Sequence, residues 1–341
     1  MRPLIHEIAT AHTPESLVGQ LRGLPRQSET KTGELGVVLL RSALFDSLQA
    51  RYSFVAANPF LTFQSSGSRC EIFCADSQLS TFNSQPNFGN PWHLLDSLMS
   101  RYELLDEVDL PFPLGGCFGY WGYDLKNFTE PKLPRRAVND LELPDCHVGF
   151  YDSLVVFDHR LGKTWIVSTG LDADGSRSEA RAREQAEFWR TLLTDDGART
   201  LTPALSLSER ERENRPPVSG KSKRGDAART LENSNGRTTA LPLPGGEGWG
   251  EGERHTQTQQ IISNLSRADF LSAVERAQRY IRAGDIYQAN LSQRLTAPCE
   301  FSGWGLFERL SVISPAPFSA FLDCGEFQIA SSSPELFLRM S

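Results

Sequence analysis

Gln288, Asn290, Ser292 and Arg294 stand at alternate positions of "GDIYQANLSQRL", residues 284–295. Under the two-residue period of a β-strand they share one face, with Tyr287, Ala289, Leu291 and Leu295 on the other. Solvated strand faces are rich in Lys, Glu and Thr, whereas Gln, Asn and Ser are short neutral donors and acceptors suited to orienting a polar ligand. The plain alternative is an antiparallel sheet with one wet side. A second candidate is Glu335 in "FQIASSSPELFLRM", where "FQIA" reads as a strand and "SSSP" interrupts it. A carboxyl group just after a rigid proline can serve as a general acid if burial raises its pKa. A lone Glu beside a turn is more commonly a surface carboxylate.

Other motifs do not carry the chemistry they suggest. "GGCFGYWGYDL", residues 115–125, is not a G-x-G-x-x-G fingerprint and has no helix pattern after it, so its glycines point to close sheet packing or a bulge. "GKS" at 220–222 is not a phosphate loop, because Arg215 occupies the place of the first glycine and no strand precedes it. The six cysteines include no C-x-x-C pair, which favours buried thiols over zinc or disulfides.

The elements that must position these residues are mostly strands. Up to about residue 195, short alternating runs such as "LGVVLLRSALF", "RCEIFCAD", "FYDSLVVFDH" and "TWIVST" predict antiparallel strands rather than βαβ units. "PWHLLDSLMSRYELL" predicts a helix with Leu94, Leu95, Leu98, Tyr102 and Leu105 on one side, and "SRSEARAREQAEFWRTLL" a charged amphipathic one. Ser266 with Asp269 forms a capping-box pair. Phe270, Leu271, Val274, Ala277 and Ile281 follow at helical spacing until Gly284. Between about 203 and 258 the chain is rich in Gly, Pro, Arg, Glu and Ser, and such a segment cannot bury enough apolar surface to offset its ordering entropy.

The formal net charge of -7 leaves no basic stripe for a nucleic-acid backbone. No window approaches the roughly 20 apolar residues of a membrane span, and the N-terminus lacks a signal-peptide core, so a cytoplasmic location is expected.

"SRADFLSAVERAQRYIRAGDIYQANLSQRL", followed by "PAPFSAFL" and "IASSSPELFLR", closely resembles component I of the aminodeoxychorismate and anthranilate synthases, a chorismate-binding family. "LLRSA", "RYSF", "PFPLGGCFGYWGYDL" and "LPDCHVGFYDSLVVFDH" resemble the first domain of that family, in matching order. The resemblance covers most of the chain outside the 203–258 stretch. Each short motif is weak alone, but the combination is specific.

The resemblance implies an α+β fold of two large antiparallel sheets packed with flanking helices. It divides the chain into a first domain over 1–198, a disordered low-complexity insertion over 199–258, and the start of a chorismate-binding catalytic domain over 259–341. It implies chorismate as substrate, Mg²⁺ as cofactor and a glutamine amidotransferase subunit as partner. Ammonia from that subunit would replace the C4 hydroxyl to give 4-amino-4-deoxychorismate for folate synthesis. Such chemistry needs an acid to help the hydroxyl leave and a metal to neutralise substrate carboxylates.

By motif position Glu335 corresponds to the family's "SPE" glutamate, the acid. Gln288 stands where the water-adding isochorismate and salicylate synthases carry a lysine base, and a glutamine cannot deprotonate water. Asn290 is similar to the aminodeoxychorismate pattern, where anthranilate synthases have an apolar residue, and this favours the folate assignment. Ser42, Tyr52, Ser53, Pro317, Phe318 and Ser319 match the family's tryptophan-binding motifs. Arg41 replaces the Glu of feedback-inhibited relatives, so a bound tryptophan would be structural rather than regulatory. On their residue types alone, Tyr52 and Phe318 are equally ordinary core aromatics.

In the family a catalytic lysine, the Mg²⁺-binding glutamates and a glycine-rich loop follow "SPE", and this sequence stops at Ser341. The expectation is a truncated catalytic domain that turns over no chorismate by itself. Two alternatives stay open: anthranilate synthase component I, and a non-catalytic remnant that binds tryptophan or the amidotransferase.

Overall fold

Alternating apolar residues in the first 195 positions become strands that pair with distant parts of the chain. The computed structural model describes residues 2–24, 36–43, 50–74, 86–104, 108–134, 140–195, 261–336 and 338. The insertion expected over 199–258 and Leu105 of the first helix pattern lie outside the described residues. The chain forms two compact units, Met1–Asp196 with Glu300–Ser341, and Gly197–Cys299.

The first unit begins with β1 (Leu4–Ile8), α1 (Pro14–Gly23), β2 (Val38–Arg41), β3 (Tyr52–Ala56), β4 (Leu61–Ser66), β5 (Arg69–Cys74), β6 (Asn87–Phe88) and α2 (Pro91–Arg101). It continues with β7 (Gly116–Trp121), α3 (Lys126–Thr129), β8 (Cys146–Tyr151), β9 (Ser153–Asp158), β10 (Lys163–Ser168) and α4 (Glu179–Thr194). The second unit contributes β11 (Ile262–Ser263), α5 (Arg267–Ala283) and β12 (Leu295–Thr296). Then α6 (Gly303–Ile313), β13 (Phe318–Asp323) and β14 (Gln328–Ser333) return to the first unit.

Two antiparallel sheets organise the first unit. One has seven strands in the order β1-β10-β9-β3-β2-β13-β14, and the other five in the order β6-β5-β4-β8-β7. This is the α+β arrangement of two large antiparallel sheets with flanking helices that the resemblance implied. The seven-stranded sheet exists only because β13 pairs with β2, setting Ser319 opposite Arg41 and Phe321 opposite Leu39.

Three apolar layers hold the unit together. Leu17 and Leu21 of α1, Trp189 and Leu193 of α4, and Phe307 of α6 pack on Leu39, Val55, Val155 and Phe321 of the large sheet. Val38, Ala56, Leu154, Val156, Val167 and Leu322 project from the opposite face of that sheet, where Tyr151 and Phe118 of the small sheet meet them. Leu95 and Leu98 of α2 cover the outer face of the small sheet over Phe63, Val148 and Phe150. Because helices lie on one side and the second sheet on the other, β9 is buried at all six positions. That explains why "SLVVFD" reads as a continuous rather than an alternating run. Each fully buried large apolar side chain in these layers contributes about 1.5–3 kcal/mol.

Glycines permit the close approach within the small sheet. A Cβ at Gly119 of β7 would lie 2.1 Å from the His147 carbonyl oxygen of β8. The glycine-aromatic run is thus a packing device, as its sequence suggests.

Two sequence expectations fail. β14 runs unbroken through Ser331, Ser332 and Ser333, each paired with β13, so the serines do not interrupt the strand. Small residues are tolerated there because the ladder to β13 supplies the backbone partners. Residues 286–294 do not form a strand either, and only Leu295 and Thr296 pair, with Ser263 and Ile262. Gly284 closes α5 in the left-handed conformation at φ 80°, and the chain beyond it meets no partner strand until Leu295. Instead the Asn264 side chain accepts the Arg294 N–H at 2.8 Å, and Gln293 Nε2 donates to Ser263 Oγ at 2.7 Å. An alternating pattern sets which side chains share a face, but a strand needs a ladder.

Candidate functional site

The motif residues divide between the two units. Gln288 and Asn290 belong to the second, and Glu335 with the tryptophan-motif residues to the first.

In the second unit, the Ser266 hydroxyl caps α5 by accepting the Asp269 N–H at 3.1 Å and donating to Asp269 Oδ2 at 2.6 Å. Gly284 then releases the chain into a segment without regular secondary structure up to Arg294. Gln288 Nε2 donates to Asn290 Oδ1 at 3.1 Å, and both residues are exposed. The two amides therefore point to the same side, as the two-residue period required, although no sheet carries them. Their mutual bond fixes one carbonyl as acceptor and leaves the Gln288 carbonyl and the Asn290 NH₂ for a ligand.

Glu335 follows β14 after Pro334. Its N–H donates to Ser333 Oγ at 3.3 Å, and the Ser333 hydroxyl reaches the Glu335 carbonyl at 3.3 Å. The backbone of "SPE" is thus tied to the end of the strand, while Glu335 itself is exposed. Ser332 anchors the same end by donating to the Ser314 carbonyl at 2.5 Å, linking β14 to the close of α6.

The six tryptophan-motif residues gather at one end of three adjacent strands. Ser42 follows the end of β2, Tyr52 and Ser53 open β3, and Pro317 precedes Phe318 and Ser319 at the start of β13, with the strand order β3-β2-β13. Ser42 N–H donates to Ser53 Oγ at 3.0 Å, and the Ser42 hydroxyl donates to the Tyr52 carbonyl at 2.8 Å. Ser53, fully buried, also pairs with His159 Nε2 at 2.7 Å, and Ser319 donates to the Ala316 carbonyl at 3.2 Å. Burial holds the His159 imidazole below its ordinary pKa, chiefly by desolvation.

Strand alternation splits the cluster between two faces. Tyr52 joins the layer between the sheets, against Phe112 at 5.9 Å between ring centroids, with the Arg51 guanidinium 4.7 Å from its ring. Phe318 shares the parity of Leu322, which lies in that same layer. Ser319 and Ser53 share the parity of Phe321 and Val55, which face the helices. Arg41, opposite Ser319, pairs with Glu15 of α1. Arg41, the residue that departs from the feedback-inhibited pattern, is thus committed to a helix-side ion pair.

One half-buried titratable group carries no sequence signal. His147 of β8 stacks on Tyr120 at 6.5 Å and meets Phe327 edge-on at 6.0 Å between ring centroids, and burial lowers its pKa to about 4. Its Nδ1 is buried without a hydrogen-bond partner. Between pH 6.5 and about 4 the unfolded chain binds this proton and the folded one does not, so stability falls as pH falls through that window. The share owed to His147 amounts to about 2 kcal/mol between pH 8 and pH 5. His147→Phe, which keeps the ring stack, is expected to remove that share, as urea unfolding at the two pH values can check. An unchanged pH dependence in the variant would exclude the assignment.

Among the described residues no group of three or more His, Cys, Asp or Glu side chains lies placed to hold a metal ion. The Mg²⁺ implied by the resemblance finds no ligand set in them. No described helix is long and apolar enough to cross a membrane.

Comparison with known proteins places this geometry in a family. The model for chorismate binding enzymes matches residues 41–341. Anthranilate synthase component 1 of Acetivibrio thermocellus is 28% identical over 302 residues, covering 89% of this chain and 51% of that protein. The Thermus thermophilus protein of the same name is 32% identical over 249 residues, or 72% of this chain and 42% of that one. Aminodeoxychorismate synthase component 1 of Salmonella typhimurium is 28% identical over 292 residues, or 85% and 48%. The chain spans about half the length of the curated relatives it matches. The crystal structure of anthranilate synthase component I from Streptococcus pneumoniae shares the fold, with a TM-score of 0.53 over 97% of this chain and 58% of that one at 21% identity. On the match over residues 41–341, the chain belongs to the family of chorismate binding enzymes.

Proposed function

We propose that this chain provides component I of an aminodeoxychorismate synthase, which replaces the C4 hydroxyl of chorismate with ammonia delivered by a glutamine amidotransferase partner. The observation that carries the reading is the Gln288–Asn290 pair, whose side chains point the same way and bond at 3.1 Å. Neither amide is a base at neutral pH, so the pair can orient a neutral amine nucleophile and cannot generate hydroxide. Glu335, held by Ser333 at the end of β14, is the proposed acid for the leaving hydroxyl. Placing residues 284–295 into the Salmonella typhimurium aminodeoxychorismate synthase component 1 is expected to preserve formation of 4-amino-4-deoxychorismate. Loss of that product from a folded graft would count against the assignment.

A second reading is anthranilate synthase component I. It is favoured by the relatives of that name, which include the 32% identical Thermus thermophilus protein. The products separate the two readings, because anthranilate is fluorescent while aminodeoxychorismate needs a lyase to become aminobenzoate.

The tryptophan motif makes a separate prediction for the first unit. Its residues converge on one end of three paired strands with Tyr52 already held between Arg51 and Phe112. Tryptophan is expected to bind saturably in calorimetry, and Tyr52→Ala to weaken it by roughly tenfold or more, about 1.4 kcal/mol. Absence of any heat with the unaltered chain would reduce Tyr52 to a core aromatic.

A further inference from the structure

We propose that the first unit holds another small-molecule site, a cavity between α2 and the β7–β8 pair that takes a neutral aromatic molecule of one or two fused rings. The cavity has a volume of about 520 Å³. Protein interiors are otherwise close-packed, with few voids larger than a water molecule. A dry apolar cavity of about 150 Å³ already accepts benzene, and ligand pockets run from about 300 to 1,000 Å³. This one has room for a bicyclic ring.

The walls select the ligand's chemistry. Phe60, Tyr102 and Phe150 interlock, with Phe60–Tyr102 centroids 5.1 Å apart at 71° and Tyr102–Phe150 centroids 5.6 Å apart at 60°. Rings fixed by one another present a preformed surface for edge-to-face contact with a further ring. The phenol groups are already committed: Tyr102 donates to the Ala173 carbonyl and Tyr151 to the Gly36 carbonyl, both at 2.6 Å. Among the described residues of the lining the one carboxylate is Glu103, which is exposed. Burial raises Tyr102 and pushes the Cys117 thiol up to about 12. Surroundings that disfavour a thiolate disfavour a ligand carboxylate for the same reason, so chorismate and amino acids do not belong here. None of the six tryptophan-motif residues lines the cavity. Phe112, which does, stands 5.9 Å from the Tyr52 ring.

Met99 of α2 provides a reporter, since it lines the cavity, is 47% exposed, and is one of three methionines with Met1 and Met340. Indole is titrated into the protein carrying [ε-¹³C]methionine. The Met99 methyl signal is expected to shift saturably while the other two stay in place. Benzoate should produce no such shift. Met99→Leu should keep the calorimetric affinity for indole, and Met99→Trp, which fills the mouth from an exposed helix position, should lower it by roughly tenfold or more. An immobile Met99 signal up to the solubility of indole would overturn the proposal. So would a parallel linear drift of all three signals, equal binding of benzoate, or undiminished affinity in a folded Met99→Trp variant. Abolition of the shift by Tyr52→Ala would also overturn it, by placing indole in the tryptophan motif.

Discussion

Replacing Gly119 with alanine is expected to destabilise the first unit by more than ~3 kcal/mol, or to abolish soluble expression. The added Cβ would sit 2.1 Å from the His147 carbonyl oxygen and 2.7 Å from the Val148 Cα. Both atoms are backbone of β8, which is itself held by β4 on its far side, so neither can step aside without breaking a ladder. Ordinary overpacking, where a neighbouring side chain can rotate away, costs about 1–3 kcal/mol, and this contact has no such release. Gly23 is the control, because a Cβ there meets nothing within 4 Å. Gly23→Ala at the end of α1 should change stability by only a few tenths of a kcal/mol either way. Thermal or urea unfolding of the two variants tests the account, and a Gly119→Ala protein as stable as Gly23→Ala would contradict it.

A second expectation concerns catalysis. Given chorismate, Mg²⁺ and ammonium, the 341-residue polypeptide is expected to form no aminated product above the uncatalysed background. Glu335, Gln288 and Asn290 are all exposed to water. A general acid contributes its typical ~10²–10⁴-fold only when positioned against the leaving group with its pKa tuned by its surroundings. Fixed dipoles likewise gain their advantage over water only in a water-excluded site. Glu335 is tied in place at the backbone, but its side chain, like those of Gln288 and Asn290, is open to water and lacks the second condition. Chromatography coupled to absorbance resolves chorismate, anthranilate and aminodeoxychorismate, and a steady, enzyme-dependent product peak would overturn this expectation.

Most local features were legible in the residues, and the failures share one cause. The short apolar runs became strands, Ser266 capped α5 and Gly284 closed it, because these depend on neighbours a few residues away. Gly119 marked a close backbone approach for the same reason. The alternation in 284–295 correctly put Gln288 and Asn290 on one side, yet predicted a strand that is absent, since pairing depends on a partner the pattern does not contain. The three serines of β14 looked like an interruption and are a strand because β13 lies beside them. The return of residues 300–341 to the first unit rests on the β2–β13 ladder, which joins positions almost the whole chain apart. His147 and the aromatic cavity were invisible for the same reason, their surroundings being assembled from several separate stretches.

The most direct measurement of the central claim is the product made when residues 284–295 replace the matching stretch of the Acetivibrio thermocellus anthranilate synthase component 1. If Gln288 and Asn290 help specify amination at C4, part of the chorismate consumed by the graft becomes 4-amino-4-deoxychorismate, detected as aminobenzoate once the lyase is added. A folded, active graft that yields anthranilate alone would contradict the claim.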